Sequence, residues 1–261
     1  MYHRFNVDGD KRGTKNGAYI VHTDSKPAGW AMHYRTGATV RWSASGKREP
    51  MTPAMLKQIK DEQAKRQKEQ AERHAKAAKT AAYIWRHSSP ISHQSEHPYL
   101  IAKRIQPHGL RLSRGALVVP IYSEGRELVS LQFIDGDGSK RLLSGGSKKG
   151  CFSPIGDFSS VTKLLIAEGY ATGASLHESL SLPVLVAIDA GNLTPVAEAA
   201  RRLFPDAEII IMGDNDESGK GQTEARKAAL ACGGSYLIPE VPGQDWNDTI
   251  NTDTSREAFN D

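Results

Sequence analysis

Long apolar runs alternate with amphipathic stretches through the C-terminal part of the chain. The apolar runs predict four strands, at Lys163–Ala167, Pro183–Ile188, Ala207–Met212 and Ser235–Pro239. Helical patterns lie between them, in EGYATGASLHESL, over Leu193–Phe204 and from the GDNDESGKGQ loop through Leu230. Near-continuous apolar strands are typical of a parallel sheet that is covered on both faces, so we expect residues 159–261 to form an α/β domain.

Residues 89–158 have a different pattern, in which a connector precedes a hairpin. The connector contains a short helix near Tyr99–Arg104, and the hairpin joins Ala116–Tyr122 to Glu127–Asp135 through an SEGR turn. The segment GDGSKRLLSGGSKKG follows, and its Gly-rich turns leave backbone and basic side chains free to approach phosphates closely. We expect a mixed α+β subdomain with a basic surface here.

Residues 1–50 alternate short polar and apolar stretches with Gly-containing turns between them. This pattern predicts a small β-rich region. We expect Trp30, Tyr34 and Trp42 to form its core, and stacking of bases on these rings is the alternative.

A long charged helix is predicted over residues 51–88. Thr52 is a capping residue, and Pro53 suits the first helical position. From there to about His87 the chain is rich in Lys, Glu, Gln and Ala and contains no Gly. Its surplus of Lys and Arg either follows a phosphate backbone or forms a solvated helix face.

The charge is distributed unevenly along the chain. The 261 residues carry 34 Lys and Arg against 30 Asp and Glu, a net charge of +4. Residues 1–150 hold 27 basic and 13 acidic side chains, a balance of +14, whereas residues 151–261 hold 7 and 17, a balance of −10. This asymmetry indicates one part that meets a polyanion and one that gathers carboxylates. The alternative is that two domains attract each other through opposite fields.

Composition excludes several classes of protein. Two cysteines, Cys151 and Cys232, are too few for a disulfide framework or a Cys-rich zinc site. No apolar run approaches the roughly 18 residues of a membrane span, and the first residues do not resemble a signal peptide. We therefore expect a cytoplasmic protein that has no membrane partner.

Acidic side chains follow three of the predicted parallel strands. Glu168 comes after the first strand, Asp189 after the second, and Asp214 with Asp216 after the third. Because the carboxyl ends of parallel strands lie on one edge of a sheet, these carboxylates should converge there. Crowded carboxylates suit a hard cation, so we expect Mg²⁺ or Mn²⁺. Capping of the next helix is the alternative for each single acid, but it does not readily explain the Asp-Asn-Asp triplet.

Several motifs in order resemble one family. A strand that ends in Glu-Gly, followed later by a strand that ends in Asp-x-Asp, looks like the TOPRIM domain of bacterial-type primases, topoisomerases and certain nucleases. The likeness extends over roughly residues 80–250 and is greatest to TOPRIM primase-like proteins of phages and plasmids. The shared motifs are HPYL with GLR, the DGSKR and SGG loop, EGYATGAS, DAGNL and a final Asp-Trp-Asn-Asp.

The resemblance implies a fold and a set of site residues. The fold would be a Rossmann-like parallel TOPRIM sheet with flanking helices, preceded by a primase-like α+β subdomain. Glu168, Asp214 and Asp216 would be catalytic and would bind metal, and Asp189 joins them as a fourth candidate ligand. The candidate cations for nucleotide or nucleic acid are Lys140, Arg141, Lys148, Lys149 and Arg114. Asp245 and Asp248 match a trailing acidic motif whose role stays open.

The implied activity is metal-dependent nucleotidyl transfer, a DNA primase that makes short RNA primers during replication of a mobile element. Single-stranded DNA, nucleoside triphosphates and a replicative helicase would be its partners. The sequence departs from full-length cellular primases because it has no zinc ribbon, and SGKGQ lacks the spacing of a P-loop. Two alternatives stay open. One is a metal-dependent nuclease, and the other is a non-catalytic accessory module that binds single-stranded DNA.

Overall fold

The computed structural model describes residues 2–23, 27–44 and 53–252. These residues form a mixed α/β protein that contains three β-sheets within the described ranges. The chain divides into two compact units, residues 1–64 and residues 65–261. Thr52, the predicted helix cap, lies outside the described residues.

The first unit contains a four-stranded antiparallel meander in the order β1-β2-β3-β4. Its strands are β1 (Tyr2–Phe5), β2 (Gly17–His22), β3 (Ala28–His33) and β4 (Thr39–Ser43). The predicted β-structure is therefore confirmed, but the predicted aromatic core is wrong. Trp30 is only half-buried, while Tyr34 and Trp42 are 44% and 48% exposed. Among its described residues the first unit contains this one sheet, whereas a core that is closed on both sides needs a second layer.

Helix α1 (Pro53–His87) confirms the predicted long helix and crosses the boundary between the units. Most of its described side chains are exposed, as its polar composition requires. Only its C-terminal part is anchored in the second unit, where Ala81 and Trp85 pack in a small apolar cluster. The Arg111 guanidinium lies 4.6 Å from the Trp85 ring centroid and donates to the Trp85 carbonyl oxygen at 2.7 Å.

The second unit begins with an antiparallel sheet in the order β5-β6-β7-β8-β9. Its strands are β5 (Ser89–Pro90), β6 (Arg111–Ser113), β7 (Ala116–Tyr122), β8 (Leu128–Ile134) and β9 (Lys140–Leu142). The predicted hairpin is the β7–β8 pair. The short predicted helix is α2 (Pro98–Lys103), and His97 caps its first turn through Nδ1.

The other sheet of this unit has the order β10-β12-β11-β13-β14, and the last four of these are parallel. Its strands are β10 (Ser153–Ile155), β11 (Lys163–Ala167), β12 (Val184–Val186), β13 (Glu208–Met212) and β14 (Ser235–Leu237). The helices are α3 (Tyr170–Leu180), α4 (Leu193–Leu203), α5 (Lys220–Cys232) and α6 (Trp246–Thr252). The four predicted strands are confirmed. The antiparallel edge strand β10 was not predicted.

The parallel sheet is covered on both faces, as its continuous apolar strands predict. Leu165 and Ala167 of β11 face the side of α3, and Leu164 and Ile166 face the side of α4 and α5. Tyr122 and Phe152 exchange two backbone hydrogen bonds, which join the antiparallel sheet to β10. Among the helices with described residues, none is both long and apolar enough to cross a bilayer.

Candidate active site at the carboxyl edge of the parallel sheet

The carboxyl ends of β11 and β13 open into a cavity of about 430 Å³. Its wall combines acidic and basic side chains from both sheets, from α2 and from the segment before α6. The charged or hydroxyl-bearing residues that line it are Tyr99, Lys103, Asp137, Lys140, Glu168, Thr172, Asp214 and Asp245. Glu168 and Asp214, which the strand order predicts to lie close together, line this one cavity.

Asp214 has the most perturbed carboxylate at this edge. Burial, followed by repulsion from Glu168, Asp245 and Asp216, raises its pKa to about 7, while Lys140 acts in the opposite direction. Its Oδ1 atom is buried and has no hydrogen-bond partner among the described residues. A buried carboxylate oxygen without a partner is costly, and a bound cation removes that cost. Asp214 therefore fits a divalent metal.

Glu168 follows β11 directly and precedes the first turn of α3. Burial raises its pKa, Asp189 and Asp216 raise it further, and the Ala190 backbone N–H and Lys220 lower it. Gly169, the N-cap of α3, offers no side-chain cap to the first turn of that helix. The positive end of the α3 dipole therefore faces the cavity, which Gly169, Ala171 and Thr172 line.

Asp216 is held in a different way. Its Oδ1 accepts hydrogen bonds from Lys220 N and Ser218 Oγ, both at 2.9 Å, and its Oδ2 accepts one from Gly221 N at 2.9 Å. Burial raises the pKa of Asp216, but these hydrogen bonds outweigh burial and the net pKa is lowered. Asp216 thus caps α5. A Cβ at Gly221 would overlap the Asp214 carbonyl oxygen, so the helix approaches this closely only with glycine there.

Asp189 forms an ion pair with Lys148 and does not line the cavity. Asn192 holds the loop that carries Lys148, because its Oδ1 accepts from Gly150 N and its Nδ2 donates to Cys151 O, both at 2.9 Å. Asp189 therefore already has a cationic partner from the protein. It lies close enough to Glu168 to raise the pKa of that residue.

The predicted basic residues separate into two groups. Lys140 lines the cavity, whereas Arg141 donates to Asp135 Oδ1 at 2.9 Å and lies 5.1 Å from the Phe133 ring centroid. Adjacent residues of a strand point to opposite faces, which accounts for the difference. Lys149 is exposed, and Arg114 lies in the turn between β6 and β7 with a φ of 51°. Neither of them lines the cavity.

Sequence reasoning missed Lys103 and left the role of Asp245 open. The Lys103 Nζ lies 3.9 Å from Asp245 Oδ2 and 3.7 Å from Asp248 Oδ1. Lys140 is exposed as a residue, but its ammonium group is partly buried. This burial lowers the pKa of Lys140, and the nearby charge of Lys103 lowers it further. Asp245, Glu168 and Asp214 oppose this effect. Two lysines and three carboxylates therefore share one electrostatic environment.

The Asp-Trp-Asn-Asp motif attaches this group to the sheet. Trp246 is buried, and its Nε1 donates to the Gly213 carbonyl oxygen at 3.1 Å, one residue before Asp214. Gly213 itself is tightly packed, since a Cβ there would lie 2.5 Å from the Ala225 side chain. In the sequence, Trp246 and Asn247 between two acidic residues are the signal that could have predicted a buried segment here.

The carboxylates do not form a finished metal site. Within residues 2–23, 27–44 and 53–252, no three His, Cys, Asp or Glu side chains are already arranged to hold an ion. The donor set nevertheless has the oxygen chemistry that Mg²⁺ and Mn²⁺ prefer, and Asp214 carries the unsatisfied atom.

Comparison with known families agrees with this geometry. Residues 163–255 match the family model described as Toprim domain. This segment is therefore similar to a Toprim domain. It contains Glu168, Asp214 and Asp216, so the resemblance inferred from the motifs is confirmed.

The chain is also homologous to proteins named DNA primase TraC from Escherichia coli. One is 34% identical over 260 residues, which cover 93% of this chain and 24% of the relative. Another is 34% identical over 261 residues, with 91% of this chain and 17% of the relative covered. The chain thus spans about a quarter or less of the length of these relatives.

Solved structures of primase fragments are similar to the chain at low sequence identity. The primase fragment of the bacteriophage T7 primase-helicase is 17% identical, with a TM-score of 0.48 and 98% of each chain covered. The zinc-binding and RNA polymerase domains of the Aquifex aeolicus primase are 14% identical, with a TM-score of 0.47. That comparison covers 93% of this chain and 77% of the other.

Proposed function

We propose that this chain is the catalytic core of a DNA primase. It would synthesise short RNA primers on single-stranded DNA by metal-dependent nucleotidyl transfer, in the replication of a mobile element. The homology to TraC supports the primase assignment. In this proposal residues 89–158 form a basic primase-like subdomain, and residues 159–261 form the Toprim domain that carries the acidic side of the site.

One observation carries the proposal, the opposition of acidic and basic groups across a single cavity. Glu168, Asp214 and Asp245 line it together with Lys103 and Lys140. A nucleoside triphosphate that carries a divalent cation presents both a metal and phosphate oxygens, and it therefore needs both kinds of side chain. A site for a neutral ligand would have no use for this combination.

The metal would be held by Asp214 with Glu168 and Asp245. When bound, Mg²⁺ or Mn²⁺ neutralises charge on the phosphates and stabilises the charge that develops during in-line displacement. Asp214 needs this partner most, because its Oδ1 atom is unsatisfied and its pKa is raised to about 7. Asp216 contributes by capping α5 and thereby fixes the loop that carries Asp214.

The phosphates would be bound by Lys103, Lys140 and the uncapped first turn of α3. Backbone N–H groups at a helix N-terminus and a lysine ammonium are both ordinary phosphate ligands. A Cβ at Gly169 would lie 3.7 Å from Lys140 Nζ, so the lysine and the helix end face the same space. The raised pKa of Glu168 suits a carboxylate that accepts a proton from the attacking hydroxyl.

A primer-synthesis assay on single-stranded DNA with all four ribonucleoside triphosphates tests the proposal. Labelled products should appear with Mg²⁺ or Mn²⁺ and disappear with chelator. Glu168→Gln should lower the rate about 10²-fold or more, because the charge and the proton acceptor are lost while the shape is kept. Glu217→Gln is the matched control, since Glu217 is exposed and does not line the cavity.

The same assay separates the rival activities. Shortening of a labelled DNA strand without nucleotides, sensitive to Glu168→Gln, would assign the cavity to a nuclease. Neither synthesis nor cleavage, with DNA binding retained, would make the chain an accessory module. A replicative helicase remains a proposed partner, to be added as a stimulating factor in a separate arm.

A further inference from the structure

The N-terminal sheet exposes an apolar surface that the proposed active site does not use. Directly paired residues of an antiparallel sheet share a face, and the registers place Tyr19 opposite Ala31, and Ala31 opposite Val40. Among the described side chains of these strands, the large apolar ones that are exposed fall on this one face. They are Phe5, Tyr19, Val21, Val40 and Trp42, each between 37% and 63% exposed, and we call them the aromatic face.

Two of these rings lie on glycines of the neighbouring strand. A Cβ on Gly17 would lie 2.6 Å from the Phe5 ring, and a Cβ on Gly29 would lie 2.5 Å from Trp42 Nε1. One side of each ring is therefore covered by backbone, while the residue stays at least 40% exposed. This arrangement presents ring surface to solvent instead of filling a core.

Aromatic neighbours extend this surface along the first two strands. The rings of His3 and Tyr19 are stacked, with centroids 5.1 Å apart and planes at 20°. The rings of Phe5 and Tyr19 lie 5.8 Å apart at 57°. The surface thus consists of consecutive planar groups fixed by a rigid sheet.

The net charge of the same sheet region indicates which class of ligand it binds. Its sheet region, residues 2–23 and 27–44, carries six Lys or Arg and two Asp. Asp10 and Arg35 neutralise each other in an ion pair of 2.7 Å, and His33 lies 2.8 Å from the same carboxylate, so five Lys or Arg side chains remain against Asp8. Lys11, Arg12 and Lys15 are exposed. Arg4 and Arg41 pair with Ala18 and Trp30 and so lie on the opposite face, but the sheet region as a whole carries a net positive charge.

We propose that the aromatic face binds single-stranded DNA by stacking of bases on Phe5, Tyr19 and Trp42, with nearby cations contacting phosphates. Planar rings combined with a positive surface are what single-strand binding proteins use, and duplex DNA does not offer free base faces. The proposal rests on the proposed function in one respect, namely that single-stranded DNA is the template. It assigns to the N-terminal unit a template contact of its own.

Binding of a fluorescein-labelled oligothymidylate to the full chain, followed by anisotropy in chelator without nucleotides, tests this directly. Trp42→Leu and Tyr19→Leu should each weaken binding at least about fivefold, the value of one stacked base. The slope of log affinity against log salt should not change, because no phosphate contact is lost. Tyr83→Leu on α1, an exposed ring outside the aromatic face, is the control and should bind like the parent.

A second measurement needs no variant and holds even where a substitution unfolds the sheet. Photocrosslinking of the parent chain to an oligonucleotide with 5-iododeoxyuridine should place adducts on Phe5, Tyr19 or Trp42. Adducts confined to other peptides, or unchanged affinity in both ring variants, would overturn the proposal. Self-association that is lost in Trp42→Leu while DNA binding persists would assign the face to a second copy of the chain. If adducts form on this face but the chain makes no primers, DNA binding by the aromatic face is supported and only the proposed primase activity is rejected.

Discussion

The side-chain amide of Asn247 donates a hydrogen bond of 2.8 Å to the carbonyl oxygen of Lys103, 144 residues earlier in the chain. The same amide donates to Ser175 Oγ at 2.7 Å, so one buried side chain joins the ends of α2 and α6 to the middle of α3. Lys103 is at the cavity because its backbone is fixed there. This relationship joins the stability of the domain to the placement of a site residue.

Asn247→Leu should therefore destabilise the second unit and displace Lys103 together. We expect a loss of about 1–3 kcal/mol in the free energy of unfolding, because the Ser175 hydroxyl loses its buried donor and the Lys103 carbonyl keeps only the longer bond of 3.3 Å from Asn251. Denaturant titration measures it. Thr252→Ala is the control, since Thr252 is exposed and, among the described residues, its hydroxyl bonds to carbonyls of α6. Equal stability of the two variants would contradict this role of Asn247.

Sequence patterns identified the part of this site that follows from strand order. Glu168 and Asp214 each come directly after, or two residues after, a buried strand, and parallel strands bring such positions to one edge. Lys103 and Asp245 could not be placed in this way, because contacts of α2 and α6 with α3 depend on Asn247 and Trp246 rather than on periodicity. Among the rings predicted as the N-terminal core, Trp42 lies over Gly29, which has no side chain to pack around it, and the ring stays 48% exposed.

Asp214→Asn should stabilise the chain in chelator at neutral and higher pH. The folded state raises the pKa of Asp214 from 3.8 to about 7, so it binds a proton that the unfolded state has already released. Stability from this group is present below pH 4 and is lost as the pH rises towards 7. We expect the variant to gain at least about 1 kcal/mol at pH 8, which is what one unit of pKa shift is worth, and little at pH 4. Thermal melts at the two pH values measure this. If the variant is less stable than the parent at pH 8, the ionised Asp214 carboxylate does not destabilise the folded state and the prediction is wrong.

Stabilisation by Mn²⁺ should depend on Asp214 and much less on Asp189. Asp214 has an oxygen without a partner, whereas Asp189 already pairs with Lys148. In the parent, Mn²⁺ should raise the melting temperature more at pH 8 than at pH 5, because protons compete for the carboxylate at the lower pH. Asp214→Asn should abolish this increase, and Asp189→Asn should keep most of it. If both variants lose the Mn²⁺-dependent increase in melting temperature equally, Asp189 is a metal ligand like Asp214, as the sequence predicts.

Lys140 and Arg141 offer a matched pair of adjacent cations for the last test. Both belong to β9, yet only Lys140 lines the cavity, while Arg141 is occupied by Asp135 and the Phe133 ring. Lys140→Met removes a charge among Glu168, Asp214 and Asp245, so phosphate binding should weaken and the pKa of Asp214 should rise further. We expect about a tenfold or greater loss in primer synthesis for Lys140→Met. Arg141→Met removes an exposed ion pair worth about 1 kcal/mol or less and should leave synthesis within a few-fold of the parent.

The comparison is made at several salt concentrations, since a lost phosphate contact also flattens the salt dependence of DNA binding. If Arg141→Met is the more damaging change, the nucleic acid follows the outer face of β9 and the cavity is not where its phosphates bind.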